Sequence, residues 1–233
     1  MMSRVSVIFL CFIAHGCTKG SEVAASLQNQ PPLKWSNGEK KIGEGVTVNA
    51  YIFYDTDQYR QEVPEQNVTN YFTRIFFQAQ QHFHNNSVMI SLDIRNISMN
   101  THLEVKERGK EVLDGNATLK LLQNYSETHR LTNDSIIYLY TNRTPVDKVY
   151  SGAALPGLFS TFSTFGTFCS NTSSAAIISQ PPSSWSYWLT VQATAEMFGT
   201  RNFAKFKVED IEEMNKTFLH CHAKEISQSS KED

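Results

Sequence analysis

Several features that define common protein classes are missing from this 233-residue sequence. No run of about 18 apolar residues is present, so no segment is predicted to cross a bilayer as a helix. The 21 basic and 23 acidic side chains leave a net charge of −2, which provides no electrostatic footprint for nucleic acid or an anionic membrane. No G-x-S-x-G, P-loop or G-x-G-x-x-G motif occurs, so a serine hydrolase and a nucleotide-binding loop are not predicted. The 40% apolar content is enough to fill the core of one globular domain.

The first segment has the composition of a secretory signal peptide. Arg4 precedes a largely apolar stretch, VSVIFLCFIA, and Ala14-His15-Gly16 places small residues at the −3 and −1 positions of a cleavage site. We therefore predict a secreted, extracellular protein with a signal peptide over 1–16 and an extended N-terminal leader over 17–45. The folded domain is predicted over 46–223, with a polar, flexible tail over 224–233.

The chain has nine sequons for N-glycosylation. Chance would give roughly three in a chain of this composition. Their number favours a heavily glycosylated secretory protein, with at least half of the sites used. The nine asparagines are Asn67, Asn85, Asn96, Asn116, Asn124, Asn133, Asn142, Asn171 and Asn215.

Two of the four cysteines lie in the body of the predicted domain. Cys11 falls inside the predicted signal peptide and Cys17 at its predicted end, where it has no assigned role. In an oxidising compartment, a disulfide between Cys169 and Cys221 is the simplest prediction.

Hydrophobic periodicity predicts strands that alternate with helices. The pattern predicts strands over 46–54, 88–97, 135–140 and 175–179, and helices over 67–83, 114–124, 185–198 and 210–219. The spacing fits a helix only loosely over 114–124, and the Gly-, Ser- and Phe-rich segment 152–170 is predicted as a loop that feeds an irregular strand. This alternation indicates an α/β fold with a mixed, twisted sheet packed with helices.

The order of elements from residue 135 to Cys221 resembles the catalytic domain of metzincin metalloproteases of the reprolysin (adamalysin) branch. It is most similar to the secreted reprolysin-like proteins of tick saliva, and the resemblance extends over roughly 46–221. It implies a metzincin-like catalytic-domain fold and one zinc ion. It also implies that the Cys169–Cys221 disulfide ties the region before the zinc helix to the last helix.

The zinc motif of that family, H-E-x-x-H-x-x-G-x-x-H, is degenerate in this chain. If its glycine aligns with Gly199, the three ligand positions hold Gln192, Glu196 and Asn202, and Ala193 stands where the general base is expected. Neutral amides are poor zinc ligands, and no histidine occurs between His129 and His220. No cofactor is therefore predicted, although the family would lead one to expect zinc.

Two other groups of residues have both a functional and a structural interpretation. His82 and His84, with His220 and His222, are predicted to be ordinary solvated histidines, and a composite metal site remains the alternative. Four phenylalanines recur every third residue and either pack in the core or anchor an extended peptide at a sheet edge: Phe159, Phe162, Phe165 and Phe168.

These observations favour a secreted, glycosylated pseudo-metalloprotease that acts as a binding protein. The resemblance to tick salivary proteins implies that the partner is a host extracellular protein of haemostasis or immunity. Neither nucleic acid nor a membrane is an expected partner. One alternative is an active secreted zinc metalloendopeptidase with an unconventional site. Another is a glycan-shielded protein without a specific partner.

Overall fold

The computed structural model describes residues 41–63, 67–107, 110–147, 157–158 and 160–229, the side chains of 157–158 and 222–229 excepted. It confirms a mixed α/β fold with one disulfide. The strands are β1 Thr47–Tyr54, β2 Ser91–Met99, β3 Val112–Asp114, β4 Ser135–Thr141, β5 Thr144–Asp147, β6 Gly157–Leu158, β7 Thr161–Ser163 and β8 Ser174–Ser179. The helices are α1 Gln58–Gln61, α2 Val68–Asn85, α3 Gly115–Thr128, α4 Trp188–Met197 and α5 Val208–Ser229.

Five of the strands form the main sheet in the order β2-β1-β4-β8-β7. The pairings β1–β2, β1–β4 and β4–β8 are parallel, and the short strand β7 pairs antiparallel with β8. A smaller sheet joins β3, β5 and β6. The main sheet is therefore mixed, with an antiparallel strand at the end next to β8.

The central strand β4 is buried on both sides because helices cover both faces of the main sheet. On one face, Tyr138 and Tyr140 join a large core with α2, α4 and α5, and on the other, Ile137 and Leu139 pack against α3. The two buried tyrosine hydroxyls are satisfied by α4: Tyr138 bonds to the hydroxyl of Thr194 at 2.9 Å, and Tyr140 bonds to that of Thr190 at 2.7 Å.

Two helix starts follow from side-chain capping. The Asn67 side chain accepts a hydrogen bond from the Asn70 N–H at 3.0 Å, and the Asp114 side chain accepts one from the Ala117 N–H at 3.0 Å. Each satisfies a backbone donor that the first turn leaves without a partner. The start of α2 therefore agrees with the helix predicted over 67–83.

Several boundaries differ from the prediction. β2 begins at Ser91 rather than 88, and α4 begins at Trp188 rather than 185. α5 is longer than predicted at both ends and includes residues 224–229, which the sequence assigned to the tail. Ile42, assigned to the leader, is buried and forms a parallel bridge with Val88. Within the described residues, no helix is long and apolar enough to cross a membrane.

The predicted disulfide is present. Cys169 and Cys221 are joined across 52 positions of sequence. The bond ties the segment before β8 to α5. Their pairing is confirmed, whereas Cys11 and Cys17 lie outside the described residues.

Candidate functional site

The position predicted for a zinc helix is occupied by α4, which packs against β7 and β8 of the sheet and against α2. The helix ends at Met197, and Gly199 follows with a φ of 97°, a left-handed conformation that favours glycine. The Thr200 N–H then donates to the Ala195 carbonyl at 3.0 Å, which closes the end of the helix. This end agrees with the helix predicted over 185–198.

Glu196 lies between α4 and the sheet edge, and both of its carboxylate oxygens accept hydrogen bonds. The Ser163 hydroxyl of β7 donates to Oε2, and the Gln192 amide, one turn earlier on α4, donates to Oε1 at 3.2 Å. The backbone adds a further contact, because the Gly166 N–H donates to the Glu196 carbonyl at 3.0 Å. This carboxylate therefore joins α4 to the edge strand.

The position predicted for the general base holds a core residue. Ala193 is fully buried and belongs to the large core, whereas Gln192 and Glu196 are half-buried. A methyl group in the core supplies neither a proton acceptor nor a metal ligand.

The position predicted for a third ligand is part of a separate hydrogen-bond cluster around Asp210. The Asn202 amide lies 3.0 Å from both carboxylate oxygens of Asp210, which also accept from the Thr200 hydroxyl at 2.5 Å and the Lys207 N–H at 2.8 Å. Burial alone would raise the pKa of Asp210, but these hydrogen bonds outweigh it and lower the pKa. Asp210 thus fixes the segment 200–207 at the start of α5 in the manner of a capping box.

The residues at the four motif positions do not fit a zinc ion. Tetrahedral zinc is held by thiolate, imidazole or carboxylate ligands, and this set offers one carboxylate, already bonded, two amides and a methyl group. Within the described ranges, no group of three or more His, Cys, Asp or Glu side chains is placed to hold a metal ion.

The two histidines of α2 point to different partners. The Nε2 of His82 lies 2.6 Å from the Phe203 carbonyl oxygen, and the Nε2 of His84 lies 2.7 Å from that of Ile90. A carbonyl oxygen only accepts, so each Nε2 donates. Burial lowers the pKa of His82, although its hydrogen bond acts in the opposite direction. His82 is buried, so the prediction that it is solvated is wrong.

The other pair of histidines lies on α5. His220 is exposed, and the side chain of His222 is not among those described. The described histidines are not brought together as the alternative of a composite metal site requires.

The predicted phenylalanine series divides between core and surface. Phe168 is fully buried and packs edge-on against Phe198 with ring centroids 5.0 Å apart, so it cannot anchor a ligand. Phe162 is half-buried and packs against the α3 side of the sheet. Phe165 is 52% exposed, and Phe159 lies outside the described residues. The core alternative thus applies to Phe168, and only Phe165 presents an exposed ring among the three that are described.

Six of the nine sequon asparagines are exposed, at helix ends, on α3 or in turns, and the other three are half-buried. Among the half-buried ones, the Asn133 amide donates to the Cys169 carbonyl at 2.9 Å. The six exposed residues are Asn67, Asn85, Asn116, Asn124, Asn142 and Asn171.

A charged cluster at the carboxyl end of the parallel strands was not predicted. Arg143 donates from Nη1 to Asp55 at 2.8 Å and to Glu104 at 3.1 Å, and both carboxylates are almost fully buried. The Thr141 hydroxyl also donates to Asp55 at 2.5 Å. Burial raises the pKa of Glu104, against the opposing effect of Arg143. The only sequence signal was the position of Asp55 and Arg143 just after two buried strands, which places them at one sheet edge.

Comparisons with known proteins find distant likenesses among solved structures. No protein-family profile and no curated protein match the chain. Among solved structures, metalloproteinase-II from Bacteroides fragilis is similar with a TM-score of 0.46 and 14% identity, over 82% of this chain and 59% of that one. A chain of a chaperone–substrate complex is similar with a TM-score of 0.43 and 11% identity, over 66% of this chain and 23% of that one. This protein spans less than two thirds of either. Since both TM-scores are below 0.5, neither likeness supports an assignment of family or activity.

Proposed function

We propose that this protein is a secreted, glycosylated pseudo-metalloprotease with a metzincin-like fold, and that it acts by binding rather than by cleavage. The resemblance to tick salivary proteins extends the proposal to a host extracellular partner in haemostasis or immunity. The observation that carries the proposal is that both carboxylate oxygens of Glu196 accept hydrogen bonds from neighbouring side chains. Its carboxylate, at a position where the family has a zinc ligand, is used to hold the edge strand through Ser163.

The other motif positions support the same proposal. Ala193 contributes to the core and Asn202 bonds to Asp210, so each position has a structural role in place of a catalytic one. A general base commonly contributes about 10²–10⁴ in rate, and a metal-bound hydroxide contributes much of the rest. Loss of the base and all three ligands together therefore favours a scaffold retained for another purpose.

The test is the zinc content of the protein secreted from eukaryotic cells and purified without a metal-chelating tag. Less than about 0.1 zinc per chain is the expected result, because the ligand set does not provide a closed site. About one zinc per chain, with chelator-sensitive cleavage of a peptide library, would support the alternative of an unconventional metalloendopeptidase and overturn the proposal.

A second measurement separates a binding protein from a glycan-shielded protein without a partner. The immobilised protein, with and without its N-glycans, is exposed to plasma, and retained proteins are identified by mass spectrometry. Reproducible retention of one protein that also binds in purified form supports the proposal. If no purified plasma protein binds, the result supports the alternative of a glycan-shielded protein without a specific partner.

A further inference from the structure

Two exposed arginines lie over aromatic rings. The Cζ of Arg74, on α2, lies 4.6 Å from the centre of the Trp185 ring, and the Cζ of Arg201 lies 5.4 Å from that of Phe165. Within the described part of the chain, neither guanidinium forms an ion pair with a carboxylate. Stacking fixes the plane of a guanidinium and leaves its N–H edge free for two parallel hydrogen bonds to an anion.

A second group of aromatic rings lies beside α2, because His82 of that helix contacts the Trp188 ring at 5.0 Å and bonds to the Phe203 carbonyl. Tyr187 stacks on Trp188 with ring centroids 5.1 Å apart, and Trp188 contacts Phe203 at 6.4 Å. Trp188 is 39% exposed, and Phe203 is two residues from Arg201. We call Arg74, Arg201 and the neighbouring rings of Trp185, Tyr187, Trp188, Phe203 and Phe165 the basic aromatic face.

The charge of this region is opposite to that of the whole chain. The ranges 67–90 and 185–207, which supply α2, α4 and the following loop, contain four basic residues and one acidic one, a net +3 against −2 for the chain. The single acidic residue is Glu196, which is bonded to Ser163 and Gln192. The next acidic residues begin at Glu209, in the first turn of α5. Two exposed sequon asparagines, Asn67 and Asn85, lie at the ends of α2, and none lies in 172–214, which includes Trp188 and Arg201.

We propose that the basic aromatic face binds an extended acidic segment of a partner protein. Carboxylates of the segment pair with Arg74 and Arg201, and apolar side chains between them pack on Trp188 and its neighbouring rings. The rings favour a polypeptide over a sulfated glycan, because exposed aromatic surface is best used by apolar side chains. This inference rests on the proposed function, since it names the class of partner that a binding protein would take.

The test uses the glycosylated full-length protein and a fluorescein-labelled twelve-residue peptide with three Glu-Leu-Glu-Phe repeats, measured by fluorescence anisotropy. The double variant Arg74→Gln/Arg201→Gln is expected to bind at least about tenfold more weakly, because both charge-assisted contacts are lost. The affinity of the variant Arg74→Lys/Arg201→Lys should fall between those of the wild type and the double glutamine variant, since lysine keeps the charge but not the planar fork. Higher salt should weaken binding to the wild type more than to the double glutamine variant.

The matched control is Arg95→Gln, which removes an exposed arginine from β2 at the far end of the sheet. Its affinity should stay within about twofold of the wild type. A peptide of Gln-Leu-Gln-Phe repeats should bind poorly to every variant.

Three outcomes would overturn this inference: equal affinity of the wild type and the double glutamine variant, equal binding of the glutamine peptide, or binding of a heparin decasaccharide in place of the peptide. None of them changes the zinc content, so the proposed function would stand. Conversely, one zinc per chain with chelator-sensitive cleavage would overturn the proposed function. It would leave an arginine-dependent affinity for the peptide unaffected.

Discussion

At Arg143, one guanidinium forms ion pairs with two carboxylates that the fold buries, and Lys106 also pairs with one of them, Glu104. Removing one partner of such a cluster leaves uncompensated charge, which is much more costly than losing an exposed pair. We expect Arg143→Met to lower the free energy of unfolding by about 3 kcal/mol at pH 7. The loss should shrink at pH 5, because burial raises the pKa of Glu104 and this carboxylate then takes up a proton more readily. Urea unfolding at the two pH values measures both effects.

The control for this prediction is Arg95→Met, whose ion pair with Asp93 is half exposed on both sides. Exposed pairs contribute little, so a change below about 0.5 kcal/mol is expected. Equal losses in the two variants would mean that the buried cluster does not stabilise the fold in the way its geometry indicates.

We expect His82 to make the stability of the fold depend on pH near neutrality. Burial lowers its pKa in the folded protein, so the unfolded chain binds the proton more readily, with an ordinary pKa of about 6.5. Its contribution to stability is therefore complete above that value and is lost as the pH falls through the lowered pKa. The slope of unfolding free energy against pH between 7 and 5 should become shallower in His82→Gln. An unchanged slope would exclude His82 as its source.

Between elements, Glu196 holds β7 against α4. We expect Glu196→Ala to destabilise the protein by about 1–2 kcal/mol, since two hydrogen bonds are lost and the Ser163 hydroxyl is left without its acceptor. Hydrogen exchange should accelerate at the Gly166 and Phe168 amides, which bond to the end of α4. Gln192→Ala is the matched control, because it removes only one of the two bonds and leaves the link to β7 intact. Similar exchange in both variants would contradict this role.

The elements that could be predicted from the sequence are those with a strong local signal. β1 and β4 are nearly continuous apolar runs, and α2 has both an amphipathic pattern and a capping asparagine. The smaller sheet was missed because its strands have two to four residues, and β5 includes Pro145. The end of α5 was missed because its residues beyond Leu219 are mostly polar.

The candidate site was predictable only in part. The alignment of Gly199 identified which positions had lost their ligands, because the motif is a local pattern along one helix. The contact of Glu196 with Ser163 joins residues 33 positions apart, and the basic aromatic face combines α2 with the region around α4. Hydrophobic periodicity carries no information on such pairings, because they depend on how the elements pack.

In the molecule as a whole, the disulfide is expected to provide a large part of the stability. Closing a loop of 52 positions in the unfolded chain corresponds to about 4 kcal/mol at 25 °C. The double variant Cys169→Ala/Cys221→Ala should lose about 3–4 kcal/mol in urea unfolding. The wild type treated with reductant should show a similar loss, and a difference between these two samples would point to local packing instead.

Glycosylation should follow the distribution of exposed asparagines. We expect all six exposed sequons to be occupied, and Asn133 to be occupied least, because its amide is bonded beside the disulfide. Enzymatic removal of the glycans in heavy-oxygen water, followed by peptide mass spectrometry, gives the occupancy at each site. Occupancy of Asn133 equal to that of Asn116 would contradict the prediction.

The order of strands in the main sheet determines when the chain can fold during its synthesis. β4 pairs with β1, far earlier in the sequence, and with β8, which follows it by more than thirty residues. Parallel neighbours cannot form as tight hairpins, so the sheet cannot close until β8 has left the ribosome, and the disulfide must wait for Cys221. Folding dominated by such distant pairings is slow. The core therefore closes only after most of the chain has been synthesised.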